Sequence, residues 1–224
     1  MTLIVPIAAD SPEYDCKLPP VFSLTEAGYM RCVQSVQALD LTRFDKILFV
    51  ILDKHDRRFG IADMLRLQIS RLGLDNAQVL TLPEPTADQP ETVAQTIAIA
   101  HLSGPVFIKD ADCGFDAEWI PSDNCVAVHP LERLSLVDPQ HKSYVTVDDM
   151  GFVTNIIEKR VVSHFFCAGG YGFADADEFM AHYRKLRGFG QLYLSHIIYA
   201  MLLDGKTFRP IFTDNYRDYT IEHP

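Results

Sequence analysis

An α/β fold is predicted, in three α/β/α layers with a mostly parallel central sheet and antiparallel additions. Three observations carry it. Short apolar runs alternate with amphipathic stretches through the first half of the chain, the pattern of a parallel sheet covered on both faces. Beyond Phe115 the alternation gives way to short strand-like runs joined by turn residues. The 224 residues, 48% apolar and 22% charged, suit a single globular α/β domain, taken as residues 1–224.

Residues 3–8 are apolar and read as the first central strand. Residues 10–20 carry Asp10, Ser11, Pro12, Pro19 and Pro20, which interrupt any regular pattern, so a long loop is expected there. A loop in that position is a candidate binding loop. Met30, Val33, Val36 and Leu39 give residues 27–39 helical spacing. Residues 46–52 read as a second buried strand, and 53–58 as a charged turn. Residues 61–72 form a helix stopped by Gly73, 77–82 a third strand, 83–90 a polar connection and 91–101 a third helix. Val106, Phe107 and Ile108 are the fourth strand. Later strands are expected at 126–129, 143–147, 152–157 and 164–173, the last interrupted by Gly169-Gly170. Helices at 175–186 and 191–203 and a closing strand at 208–212 complete the chain.

The net charge of −10 disfavours nucleic acid as a partner. Five cysteines without a Cys-x-x-Cys pair argue against a zinc site or a disulfide framework and for reduced thiols in the cytoplasm. The N-terminus reads as a strand rather than a signal peptide, and no apolar run reaches the ~20 residues of a membrane span. His55, His129, His164 and His196 show no metal spacing, although His164 lies close to Glu158 in sequence. The helices at 27–39 and 191–203 are candidate faces for a homodimer.

The chemistry concentrates at Lys109-Asp110-Ala111-Asp112. Ligands of open α/β sheets sit beyond the carboxyl ends of strands. Two carboxylates there suit a hard divalent cation that also holds phosphate oxygens. The competing role is a capped turn with a solvated acid. Cys113 beside the pair reads as incidental rather than nucleophilic.

Several motifs then fall in one order: Gln89-Pro90-Glu91-Thr92, Lys109-Asp110-Ala111-Asp112, Ile157-Glu158-Lys159, Gly169-Gly170-Tyr171-Gly172-Phe173, Tyr193-Leu194-Ser195 and Arg217-Asp218-Tyr219-Thr220. In that order the chain resembles the sugar-phosphate nucleotidyltransferases, whose sheet is shared with GT-A glycosyltransferases. The resemblance implies Mg²⁺ on Asp110 or Asp112 and on Asp218. It implies a nucleoside triphosphate and a phosphorylated small molecule as substrates, pyrophosphate as product, and a place in surface-polysaccharide or capsule synthesis. Lys17, Asp112, Lys159 and Asp218 are the implied catalytic residues. Ser11 and main-chain N–H groups near Ala9 would cradle the triphosphate, and Ala8, Asp10, Lys109 and Asp110 are further implied substrate-binding residues. Gln89 and Thr92 would contact the base, and Glu158, Gly169 and Gly170 the acceptor.

One departure stands out. The family has a glycine-rich phosphate loop after its first strand, ending in arginine; here Ala8 to Lys17 contains neither residue type. Glycine lets backbone N–H groups approach phosphate closely, and Asp10, Glu13 and Asp15 would repel a triphosphate. Two rival readings follow: a GT-A glycosyltransferase acting on a nucleotide sugar, and a non-catalytic nucleotide-binding relative.

Overall fold

The computed structural model describes residues 1–133 and 139–219. The strands are β1 (Thr2–Ile7), β2 (Lys46–Leu52), β3 (Ala77–Leu82), β4 (Val106–Lys109), β5 (Cys113–Asp116), β6 (Cys125–Pro130), β7 (Ser143–Val147), β8 (Val153–Glu158), β9 (Phe165–Phe173), β10 (Arg209–Phe212) and β11 (Asp214–Asp218). The helices are α1 (Arg31–Gln37), α2 (Asp53–Phe59), α3 (Ile61–Arg71), α4 (Gln89–Ile99), α5 (Ala176–Leu186) and α6 (Leu194–Leu203). The central sheet runs β10-β6-β9-β4-β1-β2-β3, with the β7–β8 pair attached to β9 through β7. From β4 to β3 all neighbours are parallel, whereas β9 runs antiparallel to both β4 and β6. β5 and β11 form a separate antiparallel ribbon.

Strand alternation divides the core. Leu3, Val5, Ile47, Phe49, Ile51 and Phe107 face the layer of α1 and α3; Ile4, Leu48, Val50, Val106 and Ile108 face α4, α5 and α6. Both faces are apolar because helices cover both, so the strands read as continuous apolar runs.

Several elements differ from the sequence-based expectation. The first helix starts at Arg31, not at residue 27, because Thr25 to Tyr29 form a tight turn closed by a Leu24–Met30 bridge, with Gly28 at φ +76°. Residues 53–58 belong to a short helix rather than a turn. It buries only His55, so it leaves no apolar period to read, and it ends at Gly60 in the left-handed region. The loop at 10–20 contains two short 3-10 turns, Pro12–Asp15 and Pro20–Phe22. β9 runs unbroken through Gly169-Gly170. The last helix starts at Leu194, not at residue 191. β5 and β11 have no counterpart in the sequence-based assignment.

Candidate active site

β1 and β4 lie side by side and parallel, yet the chain continues from them toward opposite edges of the sheet, from β1 to β2 and from β4 by way of β5 to β6. Such a switch point leaves a crevice beyond the strand ends. A cavity of about 320 Å³ occupies it, lined by Ile7 and Ala9 at the end of β1, Tyr14 and Val21 from the following loop, Gln89 at the start of α4, and Asp110 to Asp112 after β4.

The acidic turn is held from every side. Asp110 N–H donates to the Gly169 carbonyl at 2.9 Å. Its carboxylate accepts from Gln89 Nε2 at 2.6 Å and from the Tyr171 hydroxyl at 3.4 Å. Lys109 is fully buried, and its ammonium donates to the carbonyls of Asp110 and Cys113, both at 2.8 Å. It therefore braces the turn from below and lines neither cavity described here. The carboxylates of Asp110 and Asp112 and the Cys113 sulfur lie within 4.8 Å of one another. Burial, then the negative charge of Asp112, pushes the Asp110 carboxyl above the usual carboxylate range. Two carboxylates so grouped could hold a divalent cation, whose charge would offset the repulsion between them. The Cys113 thiol donates to the Ala168 carbonyl and is pushed up to about 12 by burial, so it stays protonated and unreactive.

A second cavity, of about 360 Å³, opens on the other side of this turn and shares Gln89, Asp110 and Asp112 with the first. Glu158 ends β8 and Lys159 follows it, both along its wall. One Glu158 oxygen accepts hydrogen bonds from the hydroxyls of Ser143 and Ser195, the latter at 2.6 Å. Lys159 sits at φ +55°, a left-handed conformation that costs a non-glycine residue about 1 kcal/mol or more. That backbone carries its ammonium to the Tyr193 hydroxyl at 2.7 Å. Lys142 lies beside it and donates to Asp218 and to the Tyr216 hydroxyl, each at 2.7 Å.

The tail comes to the same place. β11 pairs with β5, setting Asp218 opposite Cys113, and Tyr219 N–H donates to the Asp112 carbonyl at 2.8 Å. Asp112 and Asp218 thus sit on adjoining strand ends. The Asp218 carboxylate is turned to Lys142 and is not one of the three grouped ligands.

Solved structures share this architecture. A nucleoside-diphosphate-sugar pyrophosphorylase from Vibrio cholerae superposes with a TM-score of 0.80 at 18% identity, over 99% of this chain and 96% of that one. The chain has the sugar nucleotidyltransferase fold. An inositol-1-phosphate CTP transferase from T. maritima gives 0.71 at 15% identity over 96% and 86% of the two chains. A putative glucose-1-phosphate thymidylyltransferase from Bacillus anthracis gives 0.71 at 15% over 97% and 88%. No protein-family model matches the sequence, and no curated protein does.

Within this nucleotidyltransferase fold the expected residues divide. Ala9, Gln89, Asp110 and Asp112 line the first cavity; Glu158, Lys159 and Gly169 line the second. Others stand elsewhere. Thr92 is buried, its hydroxyl engaged by Thr86 at 2.6 Å inside the start of α4. Ala8 is in the core, and Gly170 is packed among Phe107, Phe115 and Ala127. Lys17 is exposed beyond the first 3-10 turn and lines neither cavity. Ser11 caps that turn through its backbone. His164 pairs with Glu132 on the surface, away from both cavities. Thr220 lies outside the described residues.

The acids of the first loop have a partner that the sequence did not reveal. Lys54, on α2, bridges Asp10 at 2.9 Å and Asp15 at 2.6 Å, and His55 reaches Asp10 at 3.1 Å. Burial alone would raise the Asp10 carboxyl, but the hydrogen bonds from Lys54 and His55 outweigh it and hold it below the usual range. Tyr171, Tyr193 and Ser195 stood in the ordered motifs without an assigned role, and Lys54, Lys142, Ser143 and Tyr216 escaped the sequence reading. Of these four only Lys142-Ser143 carried a signal, as the residues paired across the β7–β8 hairpin with Glu158-Lys159.

Proposed function

We propose that the chain is a metal-dependent nucleotidyltransferase joining a nucleoside triphosphate to a phosphorylated small molecule, with release of pyrophosphate. The meeting of two cavities on one acidic turn supports this reading: a nucleotide in the first and an acceptor in the second would bring their phosphates together at Asp110 and Asp112. A phosphate oxygen of the acceptor attacks the α-phosphorus, and the bond from that phosphorus to the β-phosphate oxygen breaks. The nucleophile is already ionised, so positioning and charge neutralisation carry the catalysis. A divalent cation such as Mg²⁺, held by Asp110, Asp112 and Asp218, would supply part of that neutralisation.

The remaining work falls to the chain's own groups. Lys159 binds the incoming phosphate as a point charge. Glu158, fixed by Ser143 and Ser195 through one oxygen, keeps its other oxygen for acceptor hydroxyls. Gln89 orients Asp110, and main-chain N–H groups near Ala9 face the triphosphate. The named neighbours suggest a hexose 1-phosphate or an inositol phosphate as acceptor. A cytoplasmic role in supplying activated precursors for surface polysaccharide belongs to the same reading.

A panel of triphosphates against sugar and alditol phosphates, with Mg²⁺ and a pyrophosphate readout, tests it. Release that needs one nucleotide and one acceptor together is expected. Sugar transfer from a nucleotide sugar would instead establish a glycosyltransferase. Nucleotide binding without release under any divalent cation would establish a non-catalytic relative, the reading favoured by the glycine-free first loop.

A further inference from the structure

We propose that Lys142 is a phosphate-binding residue of the second cavity, held in reserve by Asp218 while no phosphate is bound. The proposal rests on the nucleotidyltransferase reading of that cavity and adds a residue to it. Asp110, Asp112 and Glu158 line the cavity, and its ammonium groups among the described residues are those of Lys142 and Lys159. A phosphate monoester entering such a wall needs both. Lys159 is exposed at the rim, whereas the Lys142 side chain is only 19% accessible and lies nearer the acidic turn, within the electrostatic reach of Asp112. The two are neighbours, because Lys159 N–H donates to the Lys142 carbonyl at 3.0 Å.

The Lys142 ammonium has three donors. Two are spent on Asp218 and the Tyr216 hydroxyl, which leaves one toward the cavity. The Asp218 side chain is 8% accessible, so this pair is largely desolvated. A buried ion pair is a weak source of net stability, but stripping one partner leaves a costly charge. An arriving phosphate removes that cost for Lys142 by offering a second anion. In turning to the phosphate, Lys142 loosens its hold on the Asp218 carboxylate. Phosphate and Asp218 are therefore competitors for one ammonium.

Competition fixes the signs of two substitutions. The probes are inorganic phosphate and glucose 1-phosphate, titrated calorimetrically into the full chain in EDTA. Lys142→Met should weaken binding of both roughly tenfold or more, as for loss of a charged hydrogen bond. Lys142→Arg should restore most of it. Asp218→Asn should tighten binding, because the competing charge is gone. Should Lys142→Met unfold the chain, Lys142→Met/Asp218→Asn removes both charges and is compared with Asp218→Asn alone; weaker binding by the double variant is expected. A purely structural ion pair would weaken binding in both single variants. That result, unchanged binding in Lys142→Met, or no binding by the wild type at millimolar phosphate would overturn the proposal. If the binding signs hold but no triphosphate yields pyrophosphate, the nucleotidyltransferase reading fails and the phosphate site stands.

Discussion

Asp110 shows what a close acidic pair beyond a buried strand costs. Its carboxyl is raised first by burial and then by Asp112. A carboxyl raised in the folded state favours folding while protonated, and that contribution is lost as pH climbs from the unfolded value, 3.8, through the folded one. Asp110→Asn cannot ionise. It should melt above the wild type at about pH 7–8, with the gap closing toward pH 4, while pyrophosphate release is lost. A gap that ignores pH in melting scans would contradict this account. Asp112→Ala and Asp218→Ala should each lower turnover at least about 100-fold with unchanged circular dichroism; wild-type rates in both would remove the assigned metal role. Glu158→Gln should raise the KM for the acceptor about tenfold and that for the triphosphate much less, since it loses a charged acceptor of hydrogen bonds. Equal effects on both substrates would place Glu158 elsewhere in the reaction.

β9 and α2 do different kinds of work. β9 passes beneath the acidic turn so closely that a Cβ on Gly169 would lie 2.5 Å from the Cys113 sulfur and 2.8 Å from Asp110 Oδ2. Gly169 also sits at φ +81°. Gly169→Ala should therefore cost about 2–5 kcal/mol in urea unfolding, strain and overpacking together. Gly170→Ala meets only ring and methyl carbons at 2.8–2.9 Å, so about 1–3 kcal/mol is expected. If Gly169→Ala proved the milder of the two, the close approach would not be what fixes the turn. α2 instead acts through charge. Lys54 is 41% accessible, so its bridges to Asp10 and Asp15 add little stability. Lys54→Ala should leave the melting temperature almost unchanged, yet raise the KM for the triphosphate several-fold by uncovering two acids near the first cavity. A large loss of stability without a change in KM would make the bridge structural.

For the molecule as a whole, the parallel half of the sheet could be read from the chain because β1, β2 and β4 are buried on both faces, which leaves uninterrupted apolar runs. The acidic pair was legible for the same reason, since it follows directly from such a run. β5 and β11 were not legible: Cys-Gly-Phe-Asp and Asp-Asn-Tyr-Arg-Asp have no apolar period, and each is a strand because the other lies beside it. Lys54 and Lys142 were hidden likewise, as a lysine gives no local sign of the carboxylate it will meet 44 or 76 residues away. Local pattern settled the α/β class, the strand faces and the turn that bears Asp110 and Asp112, because burial on a sheet imposes a short-range period. Long-range packing settled that the tail reaches that turn, that two cavities share it, and which lysines answer its charge, because those contacts depend on strand order and not on any stretch read alone.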